Sequence, residues 1–498
     1  MLPLTVLEPV KGSMIELATL YDGLKPGRWL IVSGERTDVG IATGVRASER
    51  VMLSGVIQDV AKVKDANGKD LELPGDKVHT FLQLAELLKY QYKRDTVTLY
   101  GNVVKATHGE TRTEVLGSGD GSQAFQQFML RQPPLTYLAA PTPIGAIGTL
   151  ELRVNSLLWY EADSLVGLKR SDRVYITKTD DASRTTLIFG NGTNGARLPT
   201  GMENIRATYR NGIGKTGNVK AEQINLLASR PLGLKSVINP LPATGGANRE
   251  SLDQARQNAP LAVMSLDRLV SVQDYADFTR TYAGIAKASA MPLSNGRRQV
   301  VHLTIAGSDD IPIDSASDLY RNLYQALQRY GDPLQPLQID RRELLLLLIS
   351  ANVKILPGYQ WEDVAKEIRE KLYQRFSFGH QALGQDVTLG DVISIIQSVT
   401  IQRDPVVAYV DIDILDTVSE TEAADPTRLV NKLSLLTQSA SAPGEPSKQP
   451  KTRITVNPAR TETNPERRFL PNQLIQPAQL ALLSSAVPET LILQEVKA

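Results

Sequence analysis

The sequence contains no cysteine. Disulfides, thiolate metal sites and a thiol nucleophile are therefore excluded, and the composition suits a reducing compartment. Histidine is scarce. His79, His108, His302 and His380 are scattered, none three or four residues from another, so no zinc-type pair is predicted. Nor is charge of one sign in excess: the net charge is +1, with acids and bases interspersed, whereas nucleic-acid and membrane-surface binders show a basic surplus or stripe. Long apolar runs are missing too. The longest block, Leu344 to Ile349, falls far short of the roughly 20 residues that span a bilayer. The opening MLPLTVLEPVKGSMIEL has neither a basic start nor a continuous apolar stretch, so no signal peptide is predicted. These absences lead us to expect a soluble chain made in the cytoplasm, with no nucleic-acid partner and no membrane insertion.

What is present suffices for real cores. Apolar residues make up 42% of 498 positions, a length that predicts about three or four domains. Residues 1–132 read as short strands, among them Trp29–Val32, Val51–Val56 and Thr96–Tyr100, separated by Gly, Asp and Lys turns. Within them Thr80 to Tyr92 reads as a helix, with Phe81, Leu82, Leu84, Leu87 and Leu88 on one apolar side. Residues 133–246 continue as β structure through Leu150–Val154, Arg173–Thr177 and Thr185–Phe189, with Trp159 and Tyr160 as packing residues. From Asn248 the pattern changes and a weak internal repeat appears. Ser271-Val-Gln-Asp274 and Thr388-Leu-Gly-Asp391 each open a helix through a hydroxyl cap and an acid at the third position. Strands near Ala286–Leu293 and Val406–Leu415 follow. Between these lie two amphipathic helices, one carrying Leu319, Leu323, Leu327 and Tyr330, the other Val364, Ile368, Leu372 and Phe376. Strands Val300–Ala306 and Leu344–Leu356 accompany them. Residues 247–343 and 344–417 are thus read as two small α/β units with helices on one sheet face. In 418–498, Ser419 to Asn464 reads as an extended linker. Beyond it, Phe469, Leu470, Leu491, Ile492 and Leu493 belong to an apolar tail that docks back on its own chain or, the preferred reading, adds to a neighbour's sheet. The fold class expected is α+β and multidomain: a β-rich first half, two α/β units and an extended tail.

The stretch Phe189 to Gly246 is dense in glycine and proline and invites a ligand reading. Gly212-Ile-Gly214-Lys-Thr-Gly217 has dinucleotide-fingerprint spacing, and Gly214-Lys215-Thr216 ends like a phosphate loop. A phosphate loop, however, needs glycine where Tyr209 stands. A dinucleotide site needs a helix opening on its last glycine and an acid about 20 residues on, where Ile238, Asn239 and Pro240 occur instead. The glycines are read as turns between short strands.

As a pattern the stretch resembles one family. Gly195-x-Arg197-Leu-Pro199-x-Gly201-x-Glu203-Asn204-Ile is followed by Ala207-x-Tyr209-Arg210-x-Gly212-x-Gly214-x-x-Gly217-Asn218-Val. Pro231-x-Gly233-Leu and Asn239-Pro240-x-Pro242-Ala243-x-Gly245-Gly246 come next. Glu250-x-Leu252-x-x-Ala255-Arg256-x-x-Ala259-Pro260-Leu261 and Asp274-Tyr275 extend it. Together they look like the signature of the baseplate J-like proteins, wedge components of contractile phage tails and phage-tail-like injection systems. Pro26-Gly27-Arg28-Trp29, and Gly117–Ser122 with Phe128–Leu138, also look like the injection-system members. The resemblance implies assembly and no chemistry: copies of the chain and a second wedge protein in a sixfold plate around a spike hub, connected to the sheath and triggering its contraction. No cofactor and no metal are implied, and the signature residues have structural roles. Members often carry a long N-terminal helical arm. None is readable here, so either the arm is reduced or the sequence is part of a larger product.

Candidate chemistry outside the signature is sparse. His108-Gly-Glu110 is half a metal pattern and reads as a solvated turn, while His302 reads as a structural histidine in a strand. Asp411 and Asp413 share a strand face, with Asp416 beyond; paired carboxylates suit acid–base work, but the solvated face of an edge strand is the simpler role. Ser308-Asp309-Asp310 reads as a turn. Gly117–Ser122 is a flexible turn whose single Asp cannot hold calcium, which takes six or more oxygens. With no Gly-x-Ser-x-Gly elbow, no catalytic set is expected. The alternatives are a nucleotide-dependent assembly factor or enzyme using Gly212–Gly217, and a β-rich adhesin or glycan-binding module.

Overall fold

The computed structural model describes residues 8–38, 44–60, 62–64, 70–72, 77–212, 214–265, 268–296, 298–311, 313–315, 317–423, 431–432, 434, 450–461, 475–485 and 487–496. Strands predominate, with a few helices gathered in the second half, so the class is α+β. The chain divides into two compact units. One comprises Met1–Gly109 and Thr216–Thr244, the other Glu110–Lys215 and Gly245–Ala498.

The first unit is built on a five-stranded antiparallel sheet. Its strands are β1 (Met14–Glu16), β2 (Trp29–Glu35), β3 (Arg46–Asp59), β4 (His79–Leu84) and β5 (Thr98–Tyr100), in the order β1–β4–β3–β2–β5. Leu30, Val32, Val51, Leu53, Leu82 and Leu84 alternate into one core with Val10 and Tyr92. The helix expected at Thr80–Tyr92 is corrected here: its first part is β4, and turns follow. Thr80, Leu82 and Leu84 face inward at period two while Leu87 is exposed, so the segment follows the strand period. The turns are pinned from outside the segment. The buried carboxylate of Glu49 accepts the Lys89 N–H at 2.9 Å and the Tyr92 hydroxyl at 2.8 Å. A satisfied buried carboxylate of this kind outweighs local helix propensity.

The second unit begins with a seven-stranded sheet. It contains β6 (Glu110–Gly119), β7 (Gln127–Met129), β8 (Glu151–Val154), β9 (Leu157–Glu161), β10 (Val174–Thr179), β11 (Thr185–Phe189) and β12 (Gly201–Asn211). Their order is β6–β12–β8–β9–β10–β11–β7, with β9 and β10 parallel and the other pairs antiparallel. Trp159, Tyr175, Phe189, Leu152, Leu187 and Tyr209 fill its core, Trp159 meeting Phe189 edge-on at 5.5 Å between centroids. Tyr160, expected to pack, instead faces solvent, because strand alternation turns it to the face opposite Trp159.

Two α/β layers follow. Helix α1 (Leu252–Ser265) precedes α2 (Val272–Thr281), β13 (Ile285–Ser294), β14 (Gln299–Gly307), α3 (Asp318–Tyr330) and β15 (Leu337–Arg341). The second layer holds β16 (Glu343–Ile355), α4 (Trp361–Arg375), α5 (Leu389–Gln397) and β17 (Val407–Ser419), with β18 (Gln479–Leu482) and β19 (Leu491–Glu495) from the far end of the chain. Both Ser/Thr-x-x-Asp starts form reciprocal capping boxes. In each layer a capped helix leads into a strand (β13, β17) antiparallel to a long apolar one (β14, β16).

The layers differ in what lies on the other side of the central strand. In the first it is β15, parallel to β14 and local in sequence. In the second no local strand follows among the described residues, and the C-terminal β18 and β19 take the same parallel position along β16. Leu491, Ile492 and Leu493 thus lie against Ile349, Ser350 and Ala351 of their own chain, not on a neighbour as preferred from the sequence. Phe469 and Leu470 lie outside the described residues. The docked strands cover β16 on its second edge, and its two faces feed two cores. Leu347, Ile349, Ala351 and Val353 pack towards α4 and α5, while Leu344, Leu346 and Leu348 pack with Leu480 and Leu482. A run of consecutive leucines is therefore a fully covered central strand. The linker reading of Ser419–Asn464 also needs correction: Arg453–Ile454 pairs with Val387–Thr388, and Ile454 and Val456 are buried.

Candidate functional site

The signature residues fall into two structural groups. Gly195, Arg197, Pro199, Gly201, Asn204 and Tyr209 surround the start and middle of β12. The loop between β11 and β12 closes on itself: Asn191 Oδ1 accepts the N–H groups of Thr193 and Asn194 at 2.9 and 2.7 Å. Arg197 Nε donates to the Asn191 carbonyl at 2.6 Å. Backbones approach so closely that a Cβ on Gly190 would stand 2.4 Å from the Gly195 carbonyl carbon. Asn204 then ties two strands and the loop together. Its Oδ1 accepts Gly119 N–H at 2.8 Å, and its Nδ2 donates to the Pro199 carbonyl at 3.1 Å. Tyr209 is buried, its hydroxyl donating to Glu114 Oε1 and accepting Gln132 N–H, both at 3.0 Å. Burial pushes its phenol pKa up, so it stays neutral.

The second group lies where the chain passes from one unit to the other. Gly212 has positive φ, and its N–H donates to the Pro134 carbonyl at 3.2 Å. Gly214 has a φ of +99° and no room for a side chain, since a Cβ there would meet Asn248 Oδ1 at 2.3 Å. That same oxygen accepts the Lys215 N–H at 3.0 Å. Lys215–Gly217 is a single 3-10 turn, and residues 218–251 contain no regular element. A phosphate site needs successive backbone N–H groups aimed at one point and a helix behind them. Here the Lys215 N–H is committed to a side chain and no helix opens on Gly217.

Beyond Asn218 the chain makes a long excursion stapled at its neck by Asn239. Asn239 Oδ1 accepts Ile224 N–H at 2.7 Å, and Nδ2 donates to the carbonyls of Lys220 and Leu241 at 2.9 and 3.0 Å. Glu222 N–H to the Asn239 carbonyl and Ala243 N–H to the Val219 carbonyl complete the neck. Pro231 and Gly233 shape the tip, where Leu226 is exposed and Leu232 fully so. Pro240 follows the staple, and Gly245, with positive φ, and Gly246 lead into the segment before α1. This exposed apolar arm was not anticipated from the sequence. Its signal was a stretch of leucines and isoleucines between prolines with no helical or strand period.

The other candidates resolve into structural roles. His302 is fully buried in β14, with Nε2 at 2.9 Å from Asp340 Oδ2 on β15. Burial works against ionisation of Asp340, but bonds from His302 and Gln338 outweigh it and hold its pKa below the ordinary range. Asp413 faces outward on β17 beside Asp411 and accepts from Asn352 Nδ2 at 2.7 Å; burial, then repulsion from Asp411, raises its pKa. Ser308–Asp310 is a 3-10 turn whose Asp310 forms a two-pronged pair with Arg342, which also reaches Glu420 at 3.3 Å. His108 stands beside Gly217, within 3 Å of where a Cβ there would be. Among the described residues no cluster of three or more acidic or histidine side chains is placed to hold a metal ion, and no helix is long and apolar enough to cross a membrane.

Comparisons with known proteins bear on the α/β region. Curated proteins give no match. The cryo-EM structure of the anti-feeding prophage (AFP) baseplate, 6-fold symmetrised, includes a chain 13% identical to this one; the alignment covers 83% of this chain and 73% of that one, at a TM-score of 0.25. Residues 267–340 match the model of the Baseplate J-like central domain. The matched segment holds α2, β13, β14, α3 and β15, with Tyr275, Phe278, Leu303, Leu323 and Leu327 in one core. Of the residues that carry the sequence resemblance, Asp274 and Tyr275 fall inside it: Asp274 closes the α2 capping box, and the Tyr275 hydroxyl accepts Asp332 N–H at 3.4 Å. At residues 267–340 the chain thus carries a segment that matches the Baseplate J-like central domain.

Proposed function

We propose that this protein is a structural wedge subunit of the baseplate of a contractile, phage-tail-like particle. In this reading it assembles with copies of itself and with a second wedge protein into a sixfold plate around the spike hub, and rearrangement of the plate releases the sheath to contract. The observation that carries the reading is the match of residues 267–340 to the Baseplate J-like central domain, joined to the signature that precedes it. The geometry supports a scaffold role. The signature side chains Arg197, Asn204 and Asn239, with Asn191 just before them, spend hydrogen-bonding groups on their own backbone and leave a shaped loop. We place assembly in the bacterial cytoplasm and assign no catalytic role.

The test is negative-stain microscopy of particles recovered from native lysate through a tag on this chain. Sheathed tubes with the tag at one end are expected. Recovery of free monomers from cells in which such tubes are independently seen would overturn the proposal.

A further inference from the structure

The first unit contains both an exposed apolar plug and an apolar socket. The socket is an open pocket of about 880 Å³ walled by Ile15, Leu24, Leu30, Leu82, Val97 and Leu99. Four charged side chains line it, Glu16, Asp22, Arg28 and Arg94, together with His79 and Tyr21. Glu16 is engaged by His79 Nδ1 at 3.3 Å and Arg94 Nη1 at 3.4 Å. Arg28, and Asp22 with only a long 3.5 Å bond from Gln58 Nε2, are left to meet an incoming ligand. A pocket of this size with mostly apolar walls and a few placed polar groups is built to take an apolar guest.

The plug is the arm stapled by Asn239. Its tip presents Leu232 fully exposed and Leu234 44% exposed between the cationic Arg230 and Lys235, with Leu226 81% exposed before them. Three Asn239 bonds and two backbone bonds hold its neck, so little ordering entropy is left to lose on docking. No arm residue lines the pocket of its own chain. The guest and the host match in kind: leucines for the apolar walls, and Arg230 or Lys235 for Asp22. Because both belong to one chain, a head-to-tail contact between copies uses each once and forms a ring when the rotation between copies closes.

We propose that the tip of the 219–243 arm of one copy seats Leu232 and Leu234 in the β1–β5 pocket of the next copy. This rests on the assembly reading above and specifies the partner surface as a second copy of this chain.

The absence of cysteine makes crosslinking a clean test. Full-length chains carrying Leu232→Cys are mixed with chains carrying Ala18→Cys, an exposed position at the pocket, and treated with a short bismaleimide, both as purified protein and in recovered particles. A chain carrying Leu252→Cys, exposed on α1, replaces the first as background. The expected result is an interchain product well above that background. It should fall about tenfold when Ala18→Cys chains also carry Asp22→Arg, the size of effect of losing one anchoring contact. Product no greater than the Leu252→Cys background in both settings overturns the contact. Tubes recovered without the crosslink defeat this inference alone; a crosslink without tubes supports the contact and counts against the baseplate reading.

Discussion

Removing residues 487–498 tests whether the C-terminal strand is part of its own chain's second α/β layer. The truncation deletes β19, stripping the ladder partners from Ile349 to Val353 on one edge of β16. It also removes Leu491 and Leu493, 5% and 9% exposed, from the core that holds Ile349, Val353, Ile368 and Val364. Burial of a leucine side chain is worth about 1.5–3 kcal/mol, so the two contribute roughly 3–6 kcal/mol before any hydrogen bond is counted. Native domains have a stability of only about 5–15 kcal/mol, so the layer should become marginal while remaining soluble enough to study. The assay is hydrogen exchange by mass spectrometry with guanidinium melts alongside. Amides of 349–353 that point towards β19 should lose protection by a factor of about a hundred or more, the exchange equivalent of a loss near 3 kcal/mol. Peptides covering β14, whose parallel neighbour is the local β15, should keep theirs. Undiminished protection at 349–353 in the truncated chain would refute the argument, since β16 would then be covered from elsewhere.

Three further expectations follow from local geometry. Gly145→Ala should destabilise the 137–148 hairpin against α2 by about 2–4 kcal/mol, because φ is +73° and a Cβ would lie 2.6 Å from the Tyr282 ring and 2.8 Å from the Ala283 nitrogen; a thermal melt within a degree of wild type would be the contrary result. Asp274, Asp386 and Asp391 all have pKa values held below the ordinary range by hydrogen bonds, so their stabilisation is full above the unfolded-state value near 4 and is lost as pH falls through the folded values. Asp391→Asn should flatten the stability–pH curve below about pH 4, measured by denaturant titration; Asp413, whose pKa is raised, contributes with the opposite sign. ATP with magnesium should give no titration heat with the intact chain, and Lys215→Ala should change nothing. Binding lost on Lys215→Ala would reinstate a nucleotide site at Gly212–Gly217.

Much of the α/β region was readable because its signals are short-range. The capping boxes at Ser271 and Thr388 need only a hydroxyl and a carboxylate three residues apart, and both formed. The helices at 318–330 and 361–375 bury Leu323, Leu327, Val364, Ile368 and Leu372, whose spacing predicted them, with Leu319 half-buried beside them. The site was legible in a different way. Gly212 and Gly214 lie in irregular backbone with positive φ, but which groups such residues meet depends on residues far off in sequence. Asn204 bonds to Gly119, 85 positions away, and Gly214 is hemmed in by Asn248. The arm escaped notice because an irregular loop has no period.

By itself the sequence determined the class of the elements with a clear repeat of 3.6 or 2, Thr80–Leu84 excepted, the capped starts of two helices, the absence of thiol chemistry, and the resemblance to a baseplate family. These are properties of neighbours along the chain. Tertiary structure alone decided the rest. It made Thr80–Leu84 a strand, because β1 and β3 offer ladders on both sides and the buried Glu49 carboxylate anchors the turns beyond. It also placed the apolar tail on β16 of the same chain. A strand with one edge unpaired carries unsatisfied backbone groups, and among the described residues the second layer, unlike the first, has no local strand to cover them. Which distant segment fills such a vacancy depends on the geometry of the vacancy, and a linear pattern of leucines cannot express it.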